Sequence, residues 1–126
     1  HGTGTDLAMI SYGNGYRLCR QAKRILAAEH DLQARVLDLR WLAPLALDEI
    51  LVAIASCDRV LIVDECRGTG SQSEAIATLI RDRTDRSDKI GRVLAYDSFI
   101  PLVRASTLTF PSRYSIVDAA LKLVAD

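Results

Sequence analysis

The run Arg59-Val60-Leu61-Ile62-Val63-Asp64-Glu65 constrains the fold more than any other stretch of this chain. It is apolar without interruption, rich in β-branched residues, and closes in acid. A strand with one wet face alternates apolar and polar side chains. An unbroken apolar run is instead buried on both faces, as in a parallel strand covered by helices. Leu7-Ala8-Met9-Ile10-Ser11-Tyr12 reads the same way and is closed by Gly13-Asn14-Gly15. Two more strands are expected over Ala34–Leu39 and Arg92–Asp97. Helices are expected between them. The first covers Tyr16 to Glu29, with Leu18, Ala22, Ile25 and Leu26 on one stripe; Arg17, Arg20, Lys23 and Arg24 take the other face and read as a solvated surface. The second covers Leu47 to Ala55, with Asp48 and Glu49 at its positive end. The third opens at Ser71, the expected N-cap of a Ser-x-x-Glu capping box completed by Glu74. The last opens at Ser115. Residues 102–112 have no clear period, and Leu108-Thr109-Phe110 is the candidate there for a short edge strand or a packed loop. This alternation of strand and helix predicts a doubly wound α/β domain with right-handed crossovers.

Composition bounds the function. The chain has 126 residues, the length of one domain. Its 16 Lys and Arg balance 16 Asp and Glu, which argues against nucleic-acid or membrane-surface binding driven by bulk charge. No apolar run reaches the ~20 residues of a membrane span. Three cysteines, Cys19, Cys57 and Cys66, lack the spacing of a disulfide framework or zinc site. They read as reduced thiols of a cytoplasmic protein, two of them in the core. Residues 1–5 read as a linker or remnant, and residues 6–126 as the domain.

Ligands of open α/β sheets sit beyond the carboxyl ends of the strands. The polar residues expected there are Asp38, Arg40, Asp64, Glu65 and Asp97. Gly68, Thr69, Gly70 and Ser71 open a helix and are a candidate anion loop, with Arg40 as the compensating cation. The opposing reading is that these residues only turn the chain and cap the helix. Gly13-Asn14-Gly15 lacks the Lys-Ser/Thr of a phosphate loop and the third glycine of a dinucleotide fingerprint. Cys66 has only His1 and His30 as conceivable partners, neither suitably placed, so no nucleophilic set is assigned. No metal set is assigned, and no catalytic residue.

Several strings, in order, carry a resemblance. They are Asp6-Leu7-Ala8-Met9-Ile10-Ser11-Tyr12-Gly13, Val36-Leu37-Asp38-Leu39-Arg40 before Pro44, and Leu47-Asp48-Glu49-Ile50. Val60 to Glu65 follows, with Gly68, Gly70 and Glu74, then Asp97-Ser98-Phe99-Ile100-Pro101 and the tail from Pro111 to Ala120. Together they resemble the C-terminal domain of the transketolase and 2-oxo acid dehydrogenase beta-subunit family. That resemblance implies a three-layer α/β/α sandwich with a mostly parallel five-stranded sheet, one strand antiparallel, for which the Leu108 region is the candidate. It implies a non-catalytic assembly or docking domain that binds no cofactor itself. The parent enzyme would use thiamine diphosphate with Mg²⁺, held by other domains; no Gly-Asp-Gly motif is present here. The implied partners are other domains or subunits of the parent, a further copy of itself, and the acyltransferase core of a dehydrogenase complex, with no nucleic acid and no membrane. A transketolase or related synthase is the alternative parent, and a free-standing flavodoxin-like module with an anion at Gly68 to Ser71 the alternative of another class. The segment after Glu65 departs from the family in having fewer glycines and aromatics.

Overall fold

The computed structural model describes residues 1–125. Strands β1 (Leu7–Ser11), β2 (Ala34–Asp38), β3 (Arg59–Asp64) and β4 (Ile90–Leu94) alternate with helices α1 (Gly13–His30), α2 (Leu47–Ile54), α3 (Gln72–Arg83) and α4 (Arg113–Ala125). The strands form one parallel sheet in the order β2-β1-β3-β4. In register, Met9 lies between Val36 and Leu61, and Val63 lies beside Val93.

The unbroken apolar runs are explained by two cores, one on each face. Leu7, Met9, Leu61 and Val63 meet Cys19, Ala22 and Leu26 of α1 and Ile116, Val117 and Ala120 of α4. Ala8, Ile10, Val60 and Ile62 point the other way, to Ile50 and Ile54 of α2 and Ile76, Ala77 and Ile80 of α3. The period of two places alternate residues in opposite layers, and both layers are dry. This is the expected α/β/α sandwich.

Four local expectations change. β4 begins at Ile90 and ends at Leu94, before the expected Ala95 to Asp97. Beyond its end, Ala95 N–H donates to the Cys66 carbonyl and Tyr96 N–H to the Thr109 carbonyl, which turns the chain out of the sheet. The Leu108 region is no strand: Val103–Leu108 is a 3₁₀ helix, so the described sheet has four strands rather than five. An antiparallel-type contact instead lies on the free edge of β2, where His1 and Val36 exchange backbone hydrogen bonds. The third change concerns α4, which is capped by Ser112 rather than Ser115. Ser115 N–H donates to Ser112 Oγ at 3.1 Å and Ser112 N–H to Ser115 Oγ at 2.9 Å, a reciprocal capping pair. The fourth is the cap of α3. The Ser71 hydroxyl meets Ser73 Oγ at 2.7 Å rather than a backbone amide. Asp64, from the end of β3, accepts the Ser73 N–H at 3.1 Å in its place.

Candidate functional site

The chain leaves β1 toward β2 and leaves β3 toward β4, in opposite directions across the sheet. The crevice beyond the carboxyl ends of β1 and β3 is therefore the topological switch point, where open α/β sheets bind ligands. Tyr12 follows β1 there and Asp64 ends β3.

Asp64 is the organiser. It is buried, and one oxygen accepts the Tyr12 hydroxyl at 2.6 Å and the Cys66 N–H at 2.9 Å while the other accepts Ser73 N–H. Burial alone would raise its carboxyl pKa. The hydrogen bonds from Tyr12, Cys66 and Ser73 outweigh burial and hold it below the usual carboxylate range. The same contacts push the Tyr12 phenol far above its ordinary value, through burial, the bond to Asp64 and the negative charge of Asp64. Tyr12 thus stays protonated and Asp64 ionised at neutral pH. The cluster ties β1, β3 and α3 together.

Glu65, one residue past the end of β3, turns to the α1 side and accepts a 2.7 Å bond from the Asn14 side chain at the start of α1. Gly13, Asn14 and Gly15 are thus the first turn of α1, which begins three residues before the expected Tyr16. Gly15 serves close packing: a Cβ there would lie 2.3 Å from Ser11 Oγ.

The candidate anion loop faces carboxylates of its own chain. Gly68 N–H donates to Asp97 Oδ1 at 2.6 Å, the Thr69 hydroxyl to Asp97 Oδ2 at 3.2 Å, and Gly70 N–H to Glu74 Oε2 at 2.8 Å. An anion at Gly68, Thr69 and Gly70 would have to displace Asp97 or Glu74. Gly70 and Ser71 line a cavity of about 410 Å³ at the switch point, beside Tyr12, Cys66, Gln72 and Tyr96. Arg40 lies elsewhere. It pairs with Asp38 at 2.9 Å and lines a separate cavity of about 400 Å³ with Trp41 and Ile50, between β2 and α2. The sequence reading missed Tyr12 and Asn14 as members of the switch-point cluster. The signal for both was their position, just past a buried strand.

The surface at this end of the sheet is apolar. After β4, Tyr96, Phe99, Ile100, Leu102, Val103 and Leu108 are all exposed, Phe99 fully. Val103 has a φ of 56°, a left-handed backbone that a β-branched residue rarely adopts. Of the cysteines, Cys19 and Cys57 are buried and Cys66 is exposed. Burial pushes the Cys19 thiol up to about 12. No helix among the described residues is long and apolar enough to cross a membrane.

This geometry agrees with the comparisons. The transketolase C-terminal domain family matches residues 1–110. The chain is 28% identical over 123 residues to the pyruvate dehydrogenase E1 component subunit beta of Bacillus subtilis, covering 96% of this chain and 38% of that protein. It is 26% identical to the same subunit of Staphylococcus aureus, covering 93% and 36%. It is 29% identical to the 1-deoxy-D-xylulose-5-phosphate synthase of Halothermothrix orenii, covering 96% and 19%. Among solved structures, a split-gene transketolase described as an inactive beta4 tetramer superimposes with a TM-score of 0.83 at 19% identity, over 98% of this chain and 40% of that one. The chain therefore spans well under half the length of these relatives, and it belongs to the transketolase C-terminal domain family.

Proposed function

We propose that this chain is the assembly domain of a thiamine-diphosphate-dependent 2-oxo acid dehydrogenase of the beta-subunit type, and that it carries no catalytic residue. The observation behind this reading is the apolar strap from Tyr96 to Leu108 at the carboxyl end of the sheet. Large apolar side chains exposed side by side mark an interaction surface, and a small domain gains nothing from presenting them to water. The beta-subunit relatives support this choice of parent. The synthase relative keeps a second reading open, in which the parent is a transketolase or related synthase. Under either reading the strap packs on other parts of the parent or on another copy, and the acyltransferase core of a dehydrogenase complex is a further partner under the first.

Thiamine diphosphate brings the carbanion chemistry to such a parent. The residues here do not fit it. Among the described residues no group of three His, Cys, Asp or Glu side chains converges on a metal position, and the Gly68 and Gly70 amides are taken by carboxylates. The cofactor and its Mg²⁺ are thus assigned to portions of the parent outside this chain.

Two measurements test the reading. Calorimetric titration of the chain with thiamine diphosphate and Mg²⁺ is expected to give no heat of binding; micromolar affinity would overturn the assignment. Capture of the native protein with an antibody to this domain is expected to yield a larger enzyme that retains thiamine diphosphate and decarboxylates a 2-oxo acid. A native mass equal to this chain, without cofactor, would make it a free-standing module.

A further inference from the structure

Helix α1 presents a cationic face that the reading above does not use. Arg17, Arg20 and Arg24, with Gln21, surround one shallow hollow of about 230 Å³, and Lys23 lies on the same helix. Gln21 accepts a hydrogen bond from Arg113 at the start of α4 at 3.4 Å, which brings a further guanidinium to the rim. Arg17, Arg20, Lys23 and Arg24 form no ion pair among the described residues. The ion pairs found lie elsewhere, at Arg40–Asp38, Arg59–Asp58, Arg83–Asp48 and Lys89–Asp58. The basic face is not diluted by acid either: within α1 the sole carboxylate is Glu29, in its last turn. Like charges three and four residues apart repel along a helix. That repulsion is relieved when an anion sits between them.

We propose that this α1 face docks an acidic segment of a partner protein. Charge complementarity selects the sign, and the spacing selects the kind of partner. Arg17 to Arg24 spans ~10 Å along the helix axis, at ~1.5 Å per residue. That length suits successive carboxylates on a peptide rather than one phosphate group. Guanidinium forks bind carboxylates in a bidentate way, which gives such a row direction as well as attraction. A nucleic acid fits less well. The chain has zero net charge, and the neighbouring aromatic ring, Tyr16, is partly buried against the core and has Arg20 over it, 5.8 Å from its centroid, which makes it a poor stacking platform for a base. The positive field reaches the free edge of β2. There the His1 ammonium is held below its usual range by burial and by Lys23, Arg35 and Arg20. The hollow itself is lined by α1 residues alone, although Gln21 also borders the groove that holds Thr107 at the end of the strap; the variants below leave the strap unchanged, so the two readings are tested separately.

The test uses the whole 126-residue chain and a fluorescent peptide bearing eight glutamates spaced by alanine. Anisotropy is expected to report binding that weakens about tenfold or more on raising salt from low to physiological strength. The triple variant R17E/R20E/R24E is expected to lose that binding by about tenfold or more while keeping its circular dichroism spectrum, because Arg17 and Arg24 are exposed and Arg20 is only half-buried, over the Tyr16 ring. A control variant, R81E/R83E on α3, is expected to bind as the parent does. Unchanged peptide binding in the triple variant would overturn the proposal. So would tighter binding of a single-stranded oligonucleotide of equal charge, which would make the face a nucleic-acid site.

Discussion

Strand β1 and the strap after β4 are both short and rich in large apolar residues, yet their fates are opposite. Every residue of β1 is buried, while Phe99, Leu102 and Val103 stand in water. The difference is one of backbone. In β1 each residue extends the chain and alternates sides, so both layers receive a side chain and all peptide groups are paired along the sheet. In the strap the chain turns through Ser98, Pro101 and a 3₁₀ helix, where no face collects the side chains onto the core. Apolar content alone therefore does not locate a core. What locates it is apolar content joined to a period that a helix layer can meet.

That contrast can be broken first in the sheet. Ile62→Ala removes a side chain that is fully buried between α2 and α3 and is expected to destabilise the chain by ~2–5 kcal/mol, read by urea denaturation. Phe99→Ala is the matched change in the strap and is expected to stay within ~0.5 kcal/mol when measured on dilute monomer. Equal losses at the two sites would erase the distinction drawn here.

Helix-to-strand packing gives the next largest effect. Gly15→Ala places a Cβ against Ser11 Oγ and is expected to cost ~1–3 kcal/mol. Ser11 Oγ also donates to the Val63 carbonyl at 2.8 Å, so Ser11→Ala alone is destabilising too. Because the second change removes the clashing atom, the double variant is expected to lose less than the sum of the singles. Strict additivity would mean that α1 shifts as a body.

A similar loss is expected at Asp64. Asp64→Asn weakens the bonds from Tyr12, Cys66 and Ser73 and is expected to cost ~1–3 kcal/mol. The pH dependence has a defined sign. The folded-state pKa of Asp64 is depressed below its ordinary value of 3.8, so its contribution is complete above that value and disappears as pH falls through the lower folded value. The parent chain should accordingly lose stability on acidification below about pH 4, and Asp64→Asn should lose less of it over the same range. Identical acid limbs in the two denaturation curves would place the stabilising carboxylate elsewhere.

The parts of the fold that were legible in the sequence are those governed by period. The runs at Leu7, Ala34 and Val60 and the helical stripes are properties of neighbouring residues, and the family strings placed them in order. The misread parts depend on contacts across the chain. A Ser-x-x-Glu string at Ser71 and Glu74 looks like a complete local cap, but Asp64 reaches the Ser73 amide from the preceding strand, and no local rule sees it. Ser112 and Ser115 are three residues apart and equally eligible, and only the geometry of α4 selects Ser112. The end of β4 was set too late because Tyr96 is a good strand residue and extends the run, whereas the carbonyls of Cys66 and Thr109 draw the Ala95 and Tyr96 amides out of the sheet. At the candidate site the sequence named Asp64, Glu65 and Asp97 but not their partners, and Asp97 lies three residues past the end of β4. Asp97 accepts the Gly68 amide and Glu74 the Gly70 amide that the sequence offered to a ligand, and Arg40 faces another cavity.

The smallest effect on stability carries the largest meaning for function. Phe99→Ser with Leu102→Ser should leave the melting temperature of dilute protein nearly unchanged while altering association. The most direct measurement is the mass of the chain by light scattering across a wide concentration range, for the parent and for this double variant. The account predicts that the parent self-associates as concentration rises and that the double variant remains monomeric. A parent that is strictly monomeric at every concentration would contradict it.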